Sequence, residues 1–243
     1  MTILSLLSPR GGTGTSLVAT NLGVLLAGQS RTLLVDLHTG NGCDDLLLDL
    51  PTKRSWGDLL SVASELTERH LELASATHIS GLHVMNSPVE FSAEIDAGHL
   101  LQLLDALAKR YSWFLLDVPS GLPPLTRQVL TVSDALLLVT TADPPALRAA
   151  KQLIAGLPKN QIGKMGLVIN QITRRHPAHP TDIATSLELP LMAALPPDSR
   201  AVGYQVSFGR TCVSDSRSTF GKAIVRLHQR LAKHIGSDKA VSS

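Results

Sequence analysis

One unit near the amino terminus limits what these 243 residues can fold into more than anything else in the chain. The apolar run TILSLLS leads straight into SPRGGTGTS. TSLVATNLGVLLAGQ follows, with apolar residues at helical spacing and Gly28 near its end, and then RTLLVDL, a second apolar run closing on a carboxylate. Strand, glycine loop, helix and strand in that order open a parallel sheet. The alternation continues. GLHVMNS, SWFLLDVPSG, DALLLVTT, KMGLVINQ and LPLMAAL read as strands, and HLLQLLDALAKRY, PPALRAAKQLIAGL and GKAIVRLHQRLAKHI as helices. The strands are apolar on both sides, as strands must be when helices cover both faces of a sheet. The expectation is an α/β fold with a doubly wound, mostly parallel sheet. It forms one domain over residues 1–236, followed by a disordered tail over 237–243.

Composition narrows the classes. Hydrophobic residues make up 44% and charged residues 17%, which describes a chain that packs a core. A formal net charge of +2 gives no general argument for nucleic acid. Cys43 and Cys212 stand far apart without metal-type spacing, so a reducing cytoplasm is expected. No apolar run reaches the ~18 residues that cross a bilayer.

In sheets of this kind ligands bind beyond the carboxyl ends of the strands, and four features map to that edge: the loop 9–16, Asp36, Asp117 and Asn170. Gly11, Gly12 and Gly14 let backbone N–H groups turn inward, and the following helix adds its dipole, so a diphosphate is a fitting ligand. Ser16 falls where a phosphate loop gives a hydroxyl to Mg²⁺. The strict pattern GxxxxGK[ST] nevertheless fails twice, with Pro9 at the first glycine and Thr15 at the lysine. A plain glycine-rich turn is the competing interpretation. Asp117 is placed either as a ligand to metal or its waters or as an ordinary strand-end residue. Asn170 is placed either against a base edge or as a turn former. His38, two residues beyond Asp36, is structural or exposed on the residues alone.

Arg10-Gly11-Gly12-Thr13-Gly14-Thr15-Ser16 resembles the K-G-G-x-G-K-[ST] loop of the deviant phosphate-loop ATPases of the ParA/MinD class. LLVDLHTGNGCDDLLLDLPTKRSWGDLL, YSWFLLDVPSGLPPLTRQVLTVSDALLLVTTADPPALRAAKQL and LPLMAALPPDSRAVGYQVSFGR are similar to the CpaE/TadZ pilus-assembly branch. The BcsQ branch, which serves cellulose synthesis and has an R-G-G-x-G-T-type loop, ranks second. The resemblance implies a MinD/ParA-like phosphate-loop NTPase domain that binds ATP and Mg²⁺ and dimerises around the nucleotide. It also implies roles. Arg10 reaches the partner's phosphates, Gly11 to Ser16 cradle the phosphates, and Thr15 stands for the lysine on them. Ser16, Asp36 and Asp117 hold the metal, Asn170 and Pro197 pack near adenine, and His38 replaces a carboxylate that orients water. Arg10, His38 and Asp117 are thus the catalytic candidates. With Thr15 unable to replace a charge and His38 a poorer substitute for a carboxylate, binding with weak or absent hydrolysis is expected.

The implied partners are a second copy of the chain and components of a pilus, secretion or cellulose machine. The location is the cytoplasm or the inner face of the plasma membrane. Arg174, Arg175, Lys222, Arg226, Arg230 and Lys233 are basic clusters for which DNA or membrane contact is the less favoured use. Phe220, Ile224, Leu227 and Leu231 are expected to dock on the sheet. His176 and His179 in RRHPAHP lack further ligands for a metal.

Overall fold

The computed structural model describes residues 1–51, 54–89 and 95–241, with residues 232–241 described as backbone. Eight strands form one sheet: β1 (Thr2–Leu7), β2 (Thr32–Asp36), β3 (Ser75–Thr77), β4 (His83–Met85), β5 (Trp113–Asp117), β6 (Ala135–Thr141), β7 (Met165–Asn170) and β8 (Leu191–Ala194). Their spatial order is β3-β4-β2-β5-β1-β6-β7-β8, parallel except for β3 against β4. The helices are α1 (Thr15–Ala27), α2 (Glu68–Ala74), α3 (Ala97–Ala108), α4 (Pro124–Val129), α5 (Pro144–Ala155), α6 (Lys159–Ile162), α7 (Pro180–Ser186), α8 (Ser199–Phe208) and α9 (Thr219–Val241). The doubly wound α/β sheet expected from the sequence is the fold found. Residues 237–241, expected as a disordered tail, belong to α9, while 242–243 lie outside the described residues.

Alternation along each strand builds two cores. Ile3, Leu33, Val35, Phe114, Leu116, Leu136 and Leu138 face one side, where α3, α5, α7 and Trp56 cover them. Leu4, Leu6, Leu34, Leu115, Leu137 and Val139 face the other, under α1 and α9. Phe220, Ile224, Leu227 and Leu231 are buried in that second core, so the α9 stripe docks on the sheet.

Chain order and spatial order diverge at β1. The chain leaves β1 through α1 and returns at β2, beyond β5, whereas β6 joins the opposite side of β1. The loop after β1 therefore opens at the switch point of the sheet, where ligand crevices form. Register does the rest. Asp36 pairs with Asp117 across β2 and β5, and Leu6 pairs with Asp117 across β1 and β5. Thr141 pairs with Asn170 across β6 and β7.

A buried amide network ties α1 to α8. Asn21 Nδ2 donates to Gln205 Oε1 at 2.7 Å, and Val213 N donates to Asn21 Oδ1 at 3.0 Å. Cys212 N donates to the same Gln205 Oε1 at 3.1 Å, and Gln205 Nε2 donates to Thr20 Oγ1 at 3.1 Å. Gln205→Leu leaves several of these buried groups without a partner, each costing about 1–3 kcal/mol. The expected loss of stability is about 2–4 kcal/mol in total, read as a lower denaturant midpoint with an unchanged slope.

Candidate nucleotide and metal site

The loop between β1 and α1 is shaped by two left-handed glycines, Gly12 at φ +79° and Gly14 at φ +86°. Gly14 carries the sharper constraint, because a Cβ there would also collide with the Asn170 amide. That amide is what fixes the loop. Asn170 Nδ2 donates to Thr13 O at 2.8 Å, and its Oδ1 accepts from Gln171 N at 2.8 Å. Asn170, expected near a base edge, thus spends its side chain on pinning the loop to the end of β7.

Helix α1 begins with no side-chain cap and no acid in its first turn. Its first internal bond is Val18 N to Gly14 O, so the N–H groups of residues 15–17 precede the helical ladder and are free for an anion. Around them lies a cavity of about 710 Å³, lined by Gly11 to Leu17, His38, Asn170, Pro196, Pro197, Asp198 and parts of α8. That volume suits a nucleotide-sized ligand. Among the described residues no Lys or Arg lines it. Thr15, at the lysine position, is buried, with its hydroxyl 3.1 Å from that of Thr13. Arg10 does not reach the cavity within one copy. Its guanidinium grips both oxygens of Asp143, at 3.0 and 2.9 Å. A wider groove of about 1120 Å³ beside α8 contains none of the glycine loop and none of the paired strand-end carboxylates.

Behind Ser16 the strand ends assemble a buried acidic cluster. Asp36 Oδ1 accepts from His38 N at 2.9 Å and meets His38 Nδ1 at 3.0 Å. Its Oδ2 accepts from Cys43 N at 2.9 Å and Asp44 N at 3.3 Å. The chain can curl this tightly only because residue 42 is glycine, since a Cβ there would sit 2.6 Å from Asp36 Oδ2. Trp56 Nε1 donates to Asp36 O at 2.8 Å from below. Asp117 and Asp44 are fully buried, and all four of their carboxylate oxygens lack a hydrogen-bond partner.

Burial pushes Asp117 up to about 7. His38 pulls it back, Asp36 adds to the rise, and the nearby Ser16 hydroxyl eases it. Asp44 is raised well above the carboxylate range by burial and by the charges of Asp36 and Asp117. Burial alone would lower His38, but its hydrogen bond to Asp36 and the charges of Asp117 and Asp36 outweigh that and raise it.

These residues fit a divalent cation with a phosphate ligand. The orphaned Asp117 oxygens need a positive partner, Ser16 offers a hydroxyl beside them, and the free N–H groups offer the phosphate seat. The sequence-derived residues Gly11 to Ser16, His38, Asn170 and Pro197 meet at one cavity, with Asp36 and Asp117 buried behind His38 and within 3.6 Å of its ring. Arg10 alone stands outside. Asp44, Cys43, Trp56 and Asp143 were not singled out from the sequence. The adjacent acids in GCDDLLLDL, set inside an apolar run, were the signal for Asp44.

Residues 1–174 match the family described as "Cellulose biosynthesis protein BcsQ". The chain belongs to the BcsQ family. That family is of the ParA/MinD class of phosphate-loop ATPases, and it is the second of the two branches that the sequence resembles. The septum site-determining protein MinD of Synechocystis is 26% identical over 237 residues, covering 94% of this BcsQ-family chain and 88% of its own. Two solved structures share the fold. A ParA family ATPase from Chlorobium tepidum has a TM-score of 0.85 at 21% identity, with 94% of this chain and 98% of that one covered. MinD of Pyrococcus horikoshii, solved as a Mg-ADP complex, has a TM-score of 0.77 at 22% identity, with 97% of each chain covered.

The raised carboxyls set the sign of the pH response. The folded state holds protons on Asp117 and Asp44 that the unfolded chain releases near pH 4, so both groups take stability from the metal-free protein as pH rises above about 4, the share of Asp117 through about 7. Asp44→Asn removes one such group. It is expected to be more stable than the parent at pH 8, with the gap closing towards pH 4. Thermal melts across that range in the presence of a chelator measure it.

Proposed function

We propose that this BcsQ-family chain is a nucleotide-dependent switch that binds ATP with a divalent cation and dimerises around it, with weak hydrolysis. The observation that carries the proposal is the contrast inside one cavity. The backbone cradle of Gly11 to Ser16 is intact, yet among the described residues the cavity has no lysine or arginine of its own.

The N–H groups of the loop and of the first turn of α1 bind the phosphates, and Ser16, Asp36 and Asp117 hold a divalent cation. When bound, the cation supplies the positive charge that the phosphates need. Thr15 cannot neutralise charge developing in phosphoryl transfer, and losing one such group typically costs about 10²–10³ in rate. Arg10 serves the partner copy instead. Its pair with Asp143 is exposed on both sides, so releasing the guanidinium to a phosphate across the dimer costs little. Asn170 and Pro197, which both line the cavity, would lie near the adenine.

The switch would act on components of a cellulose-synthesis and secretion machine, as the family description suggests, from the cytoplasm or the inner membrane face. No helix among the described residues is long and apolar enough to cross a membrane. A pilus-assembly machine is the second reading, supported by the segments around Asp117 and over 189–210 that resemble that branch. The basic residues offer less. His176 Nδ1 closes its own turn with Ala178, and His179 caps α7, so neither is arranged for a metal. The side chain of Lys233 lies outside those described.

Titration calorimetry with ATP and a divalent cation is expected to show saturable binding, with a monomer-to-dimer shift by light scattering on the same sample. No binding at millimolar ATP contradicts the proposal. Thr15→Lys is expected to raise ATP turnover at least tenfold, measured as released phosphate. No gain in a variant that still binds ATP would shift the cause of slow turnover away from position 15.

A further inference from the structure

The floor of the cavity carries more information about the cation than its charge. Asp117 is completely buried, neither of its oxygens has a hydrogen-bond partner, and Oδ2 points at the His38 ring with Nδ1 3.6 Å away. The same Nδ1 is 3.0 Å from Asp36 Oδ1. One donor atom from each of Asp36, His38 and Asp117 can be chosen so that all lie within 4.8 Å of one another. Two donors bound to one ion at bond lengths of about 2.1 Å stand about 3.0–3.4 Å apart at octahedral or tetrahedral angles. The separations found from Nδ1 lie at and just beyond that range.

The cluster is also supported from outside. The backbone N–H of His38 fixes Asp36 Oδ1, those of Cys43 and Asp44 fix Oδ2, and the Trp56 indole holds the carbonyl of the same residue. Such contacts orient a carboxylate without consuming all its lone pairs, which is the usual job of the groups surrounding metal ligands. His38 keeps a quarter of its side chain exposed and lines the cavity, so an ion can enter beside it.

From this geometry we propose that Asp36, His38 and Asp117 form a site for a transition-metal dication, of the Mn²⁺, Co²⁺ or Zn²⁺ kind, in preference to Mg²⁺. The chemistry rests on the nitrogen donor. Mg²⁺ takes oxygen ligands and dehydrates reluctantly, whereas an imidazole beside two carboxylates suits the first-row metals. The inference concerns the same site as the nucleotide proposal but does not need the nucleotide, because all three donors are in place without it.

The test uses the full, untagged, nucleotide-free chain and its His38→Asp and His38→Asn variants, with folding checked by circular dichroism. Calorimetric titration with Co²⁺ and with Mg²⁺ gives a preference for Co²⁺ over Mg²⁺. That preference is expected to fall at least tenfold in both variants. With Mn²⁺ bound, spin-echo spectra are expected to show hyperfine coupling to an imidazole nitrogen in the parent, absent in His38→Asp. Saturating Mn²⁺ without nitrogen coupling, an unchanged preference in the variants, or no metal binding by the parent each overturns the inference. ATP titrations on the same samples keep the two proposals apart. ATP binding without nitrogen coupling removes only the metal inference, and metal bound through His38 without ATP binding removes only the nucleotide switch.

Discussion

The site depends on one pairing. β2 and β5 meet in a register that sets Asp36 beside Asp117, and the ladder continues past the carboxylates through Leu37 N to Asp117 O at 2.9 Å. Two acids are thereby held side by side at the carboxyl edge of a sheet whose two faces are sealed by helices. The β1–α1 loop, hung from the neighbouring strand, closes over them. A shift of one residue in that register would turn one carboxylate into an apolar core. The apolar alternation that fixes the register, Leu33 and Val35 on one face and Leu34 on the other, therefore also fixes the chemistry.

Stability and function oppose each other in this arrangement. Buried carboxylates without partners cost free energy, and Asp117 and Asp44 together present four such oxygens. The fold tolerates them because the surroundings over-determine their positions: Trp56 beneath, the 42–45 turn around Asp36, and two full cores on either side. What the cavity lacks is equally specific. It is lined by N–H dipoles but, among the described residues, by no lysine or arginine, and the Arg10 guanidinium is turned to Asp143. A bound dication would then serve twice, relieving the acids below and attracting the phosphates above.

Much of this was legible in the sequence, for physical reasons. Strands buried on both faces read as unbroken apolar runs, so seven of the eight strands were anticipated; the exception, Ser75–Thr77, is a short edge strand whose SAT sequence carries no pattern. The glycine loop and the strand-end acids announced themselves by type and position. Side-chain direction could not be read. The place of Arg10 in the loop gave no sign that within one copy its guanidinium pairs with Asp143, 133 residues away. Nor could the sequence show that Gly14 approaches Asn170 closely enough for its amide to donate to Thr13 O. Asp44 sits in a turn whose curl depends on Gly42, and the apolar run around its acidic pair hinted at burial without showing which of the two acids is sealed from solvent.

Among the described residues no lysine or arginine lines the nucleotide cavity of one copy, so the counter-charge for the phosphates arrives with the metal. ATP affinity measured with a saturating divalent cation and again in excess chelator, on the same preparation, tests it directly. A loss of about a hundredfold or more on chelation, some 2.7 kcal/mol, is expected. Binding that survives the chelator within a few-fold would contradict it, because an unidentified fixed cation would then have to be holding the phosphates.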